Sequence, residues 1–65
     1  MKWIFWHESN SGLVEFVHYE AEGAALRIAR AEAEHRGLTP SADGKSFTDE
    51  IGTVRVAVYP VPEES

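Results

Sequence analysis

Residues 2–20 read KWIFWHESNSGLVEFVHYE, and the two apolar runs flanking Ser9-Asn10-Ser11-Gly12 decide the fold. Lys2 to Glu8 is dense in aromatic and β-branched residues, the composition of a strand. Asn10 and Gly12 tolerate the positive φ angles that a tight reversal demands. Leu13 to Glu20 then reads as a second strand, so the stretch predicts an antiparallel hairpin.

Working outward, residues 23–36 predict a helix. The segment is alanine-rich, and Leu26 and Ile28 are its large apolar residues. Glu20 and Glu22 stand near its positive end, and His35 and Arg36 near its negative end. Gly37 occupies the position of a left-handed cap, and Pro40 follows. At 100° per residue, Ala25, Leu26, Ala29 and Ala33 fall on one stripe, opposite Arg27, Arg30 and Glu34. Residues 38–44 read as loop, and residues 45–49 as a short strand around Phe47. Residues 50–52 make a tight connection. Residues 53–59 alternate Val54, Val56 and Val58 with Arg55, Ala57 and Tyr59, a strand pattern. Pro60 and Pro62 are expected to end pairing, leaving residues 60–65 as a tail. The expectation is one α+β domain over residues 1–65, of order ββαββ, with an antiparallel sheet and one helix packed on one face.

With Glu8 placed opposite Leu13, Trp3 faces His18, Phe5 faces Phe16, and His7 faces Val14. Side chains alternate across a strand, so these six share one face, while Ile4, Trp6, Leu13, Val17 and Tyr19 share the other. One helix covers one face of a small sheet, yet both faces of this hairpin are aromatic. We assign Ile4, Val17, Tyr19 and Ala21 to the core, because the chain leaves that face for the helix. Trp3, Phe5, Phe16 and His18 then form the expected partner surface. The bland alternative is that residues 38–44 or the tail fold over them.

Sixty-five residues form a small core, burying roughly 60% of the surface that the unfolded chain exposes. No cysteine is present, which removes disulfides and thiolate metal sites and fits a reducing compartment. The N-terminal apolar run of four residues is too short for a signal peptide or a membrane span, so a cytoplasmic location and no membrane contact are expected. The formal charge is −5, from eleven acidic and six basic residues. That balance argues against direct nucleic-acid binding, which needs clustered Lys and Arg. It would suit a basic protein surface, or it serves solubility alone.

No arrangement of residues points to catalysis. In the assumed register His7 and His18 share a face but are separated by roughly 13 Å, too far to hold one ion. No HExxH or other ligand spacing occurs, so no metal and no cofactor are expected. The acidic pairs Asp49-Glu50 and Glu63-Glu64 lie in a turn and a tail, where carboxylates are usually solvated. The five glycines are dispersed, with no phosphate loop, and no nucleophile has an oriented base. We expect no enzymatic activity.

The run from Val17 to Arg30 passes from a strand through Tyr19-Glu20-Ala21-Glu22 into Ala24-Ala25-Leu26-Arg27-Ile28-Ala29. It resembles a strand-to-helix junction common in small phage and bacterial proteins. As a type, this compact, acidic, cysteine-free chain with surface aromatics is similar to phage-encoded inhibitors of host defence, including anti-CRISPR proteins. That resemblance implies a protein-binding inhibitor that blocks a basic nucleic-acid site. The expected contact set is Trp3, Phe5, Phe16 and His18 with Asp49, Glu50, Glu63 and Glu64. A homodimeric interaction domain is the second reading. The third is a nucleic-acid binder that stacks bases on Trp3, Phe5 and Phe16, against which the charge counts.

Overall fold

In the computed structural model, which describes residues 2–62, five antiparallel strands and one helix build an α+β fold. The elements are β1 (Lys2–Glu8), β2 (Val14–Tyr19), α1 (Glu22–Arg36), β3 (Thr39–Pro40), β4 (Ser46–Thr48) and β5 (Val54–Val61). The order is thus ββαβββ rather than ββαββ. The extra strand, β3, lies in the expected loop and pairs Thr39 with Thr48 and Pro40 with Phe47. Across the sheet the order is β2-β1-β5-β4-β3, so β1 and β5 are its centre.

Strand β5 also runs further than expected, pairing Trp3 with Pro60 and Lys2 with Val61. The Val58 N–H donates to the Lys45 carbonyl on the β4 side. By alternation, position 60 directs its nitrogen to that same side, beyond the end of β4. A proline there sacrifices no hydrogen bond to β1.

The hairpin register is the principal correction. Trp3 pairs with Tyr19, Ile4 with His18, Phe5 with Val17, Trp6 with Phe16, and Glu8 with Val14. This is one residue away from the expected pairing, and such a slip turns β2 over. The cause is the turn. The Gly12 N–H donates to the Ser9 carbonyl, and the Ser9 N–H to the Leu13 carbonyl. Gly12 has φ 89°. This is a three-residue loop closed by a left-handed glycine, so Ser9, not Glu8, stands opposite Leu13. The same bonds recur where Gly52 donates to Asp49 and Asp49 to Thr53, between β4 and β5.

Helix α1 lies over β1 and β5. Ala25, Ala29 and Ala33 are buried on its inner stripe, and their small side chains let the helix axis approach the strands. They meet Phe5, Phe47, Val56 and Val58, flanked by Trp3, Tyr19, Leu26 and Leu38. At the C-terminus, Gly37 adopts φ 68° and donates to Glu34, while the Leu38 N–H returns to the Ala33 carbonyl. These two bonds satisfy carbonyls that the helix end would otherwise leave open.

Candidate binding surface

The face of the sheet turned away from α1 carries three cross-strand rows. One runs Phe16, Trp6, Ala57, Ser46, and the next runs His18, Ile4, Tyr59. The third sets Val14 opposite Glu8. Among the described residues no element covers this face. Phe16 is 57% exposed, Val14 45% and Tyr59 41%. Trp6 is half-buried, and Ile4 is buried between the flanking His18 and Tyr59 positions. The Phe16 and His18 rings meet edge to face, with centroids 5.8 Å apart. Such an edge-to-face contact contributes beyond the area it buries.

The expected contact set divides. Phe16 and His18 are exposed on this open face. Trp3 and Phe5 are on the opposite face, under the helix. Phe5 is buried in the core and stacks on His7 at 4.9 Å, and Trp3 is half-buried with the Lys45 ammonium 5.8 Å from its ring centre. Val17 and Tyr19 face the helix as expected, whereas Ile4 does not and Ala21 is exposed. His7 and His18, expected on one face, stand on opposite faces. Glu50 is exposed in the β4–β5 turn, and Glu63 and Glu64 lie outside the described residues. Missed by the sequence reading were Trp6, Val14 and Tyr59. The signal that would have found them is the Ser-x-x-Gly spacing of residues 9–12, which fixes the loop length.

Asp49 is not a free carboxylate. Its Oδ1 accepts the N–H groups of Ile51 and Thr53, and its Oδ2 accepts Arg55 Nε at 3.0 Å. The Arg55 Nη1 reaches Glu8 Oε1 at 2.7 Å, and Arg36 Nη2 donates to the Glu8 carbonyl at 2.7 Å. The bonds with Arg55, then those with the backbone N–H groups, hold the Asp49 carboxyl below its ordinary range. The Asp49 bond in turn raises Arg55. Arg55 reaches both partners because β5 bulges here: Phe47 pairs with Val56 but Thr48 with Val54. This knot ties the turn of the first hairpin to the helix end and to the last turn. A groove of about 470 Å³ beside it is lined in part by His35, Arg36, Asp49 and Arg55, of which Asp49 and Arg55 are bonded to each other.

Three further carboxylates are ion-paired. Glu20 pairs with Lys2, Glu22 with Lys45 at 2.9 Å, and Glu32 with Arg36. Among the described residues, Glu15, Glu34, Asp43 and Glu50 have no cationic partner within salt-bridge distance. They are scattered over different elements rather than gathered on one face. Among those residues, too, no three His, Asp or Glu side chains converge as metal ligands would, and no helix is long and apolar enough to cross a membrane.

No family model, no curated protein and no solved structure matches this chain.

Proposed function

We propose that this chain is a non-catalytic protein-binding domain whose partner docks on the open face of the sheet. The observation that carries the reading is the exposed aromatic and aliphatic surface of Phe16, Tyr59 and Val14 around a half-buried Trp6. Aromatic side chains with restricted rotamers are the usual anchors of protein interfaces, because they bring much apolar area for little lost entropy. Beside Trp6 the row continues into Ala57 and Ser46, whose small side chains leave room for a partner group to reach the indole. The carboxylates support an electrostatic contribution less well, since Glu8, Glu20, Glu22, Glu32 and Asp49 are ion-paired within the fold. The inhibitor reading, with a nucleic-acid-processing complex as target, places its anchors on Phe16 and Tyr59 rather than on an acidic row.

The test is comparative capture from a bacterial lysate. Phe16→Ala with Tyr59→Ala should lose a protein that the wild type retains, while Arg27→Ala with Arg30→Ala on the exposed side of α1 should keep it. Both variants should show the wild-type circular dichroism. Retention by the first variant and loss by the second would move the binding surface to the helix.

A further inference from the structure

The two edges of this sheet are unlike. One is β3, two residues long and containing a proline, which offers almost no ladder to a newcomer. The other is β2, six residues, of which five are exposed. It has no proline, no lysine and no bulge, the devices that normally keep an edge from pairing.

The hairpin turn reveals which of its backbone groups are free. The Ser9 N–H donates to the Leu13 carbonyl, so Ser9 and Leu13 form a hydrogen-bonded pair. Such pairs alternate along an antiparallel ladder. Glu15, Val17 and Tyr19 therefore direct their backbone groups at β1. Val14, Phe16 and His18 direct theirs outward, at no partner among the described residues.

We infer that the edge of β2 pairs antiparallel with the same edge of a second copy, with Val17 of both protomers on the two-fold axis. A symmetric antiparallel pairing needs an axis normal to the sheet, so residues of like face must meet. Register about Glu15 would oppose two carboxylates, which is destabilising. Register about Phe16 leaves them roughly 7 Å apart, and register about Val17 roughly 13 Å, beyond the Debye length of about 8 Å. The Val17 register also covers Val17, which is 46% exposed at the sheet edge, with its symmetry mate. It sets Phe16 opposite the partner's His18 on the open face. Of the six side chains of this edge only Glu15 carries a formal charge, and the Val17 register holds the two copies of it apart, so a second copy fits without opposed charges. Because the axis is normal to the sheet, both open faces emerge on the same side of a continuous sheet. A six-residue ladder buries less than the roughly 1,600 Å² of a standard interface, so the dimer is reversible and of low affinity.

This inference concerns the strand edge and does not depend on what the open face binds. Sedimentation from about 10 μM to about 1 mM should show the average mass rising from 7.2 kDa towards twice that value. Hydrogen exchange should show the Phe16 and His18 amides gaining protection with concentration, while the Val17 and Tyr19 amides are protected throughout. His18→Pro removes an outward N–H together with the imidazole, leaves the β1 ladder whole, and should abolish the dimer. His18→Ala, with the N–H restored, should dimerise. A monomer across the whole range overturns the inference. So does a dimer that survives His18→Pro, or a wild-type dimer whose Phe16 and His18 amides stay unprotected, either of which would be a dimer through the open face.

Discussion

At Asp49 one carboxylate closes a turn, caps two backbone N–H groups and holds Arg55 against Glu8. Its folded-state pKa lies below the unfolded one. The resulting stabilisation is complete above the unfolded carboxyl range and is lost as pH falls through the folded value. Melting temperature should therefore decline below about pH 4, and Asp49→Asn should flatten that decline while lowering stability at neutral pH. An unchanged acid limb in the variant would show that the knot contributes nothing. Gly12 is the other residue on which the structure turns. Its φ of 89° is left-handed space that a β-carbon resists, although the surroundings are open. Gly12→Ala should cost about 1–3 kcal/mol in urea titration. At this scale the sequence misled in one respect. Asn10 and Gly12 advertised a turn, but apolar patterning on both faces of β2 allowed either register. Only the count of loop residues, set by backbone hydrogen bonds, separated Trp3 and Phe5 from Phe16 and His18.

Among the elements, α1 was the most legible. Glu22, the alanine stripe, Gly37 and Pro40 all agree on one helix, and the observed start lies one residue from that expected. Its close approach to the sheet depends on small side chains, and Ala29 has no exposed surface at all. Ala29→Leu should destabilise by about 1–3 kcal/mol through overpacking, whereas Ala31→Leu on the exposed side should change stability little. Equal effects in thermal melts would mean that the helix is not seated as described. Strand β3 was illegible for a physical reason: two residues carry no periodicity, and Thr39 and Pro40 acquire their pairing only because β4 folds back beside them. The end of β5 was hidden by Pro60, which usually terminates a ladder but here faces away from its neighbour.

Across the whole molecule, one helix covers one side of a sheet whose other side is also apolar. That imbalance was legible in the alternation of residues 2–20, and it is what directs attention to binding. Which residues bear it was not legible, since that follows from the one-residue register. The scattered carboxylates are also a whole-molecule property. Sequence lists eleven acidic side chains, but only the folded arrangement shows how many are held by Lys2, Arg36, Lys45 and Arg55. On the proposed reading, affinity comes from aromatic contact and little from charge. The direct measurement is the dissociation constant of a captured partner for wild type and Phe16→Ala, at low and high salt. The predicted result is a loss of about 2 kcal/mol or more in the variant, roughly 30-fold, with little change in wild-type affinity on adding salt. Undiminished affinity in Phe16→Ala together with a steep fall in salt would contradict it and return the interface to the carboxylates.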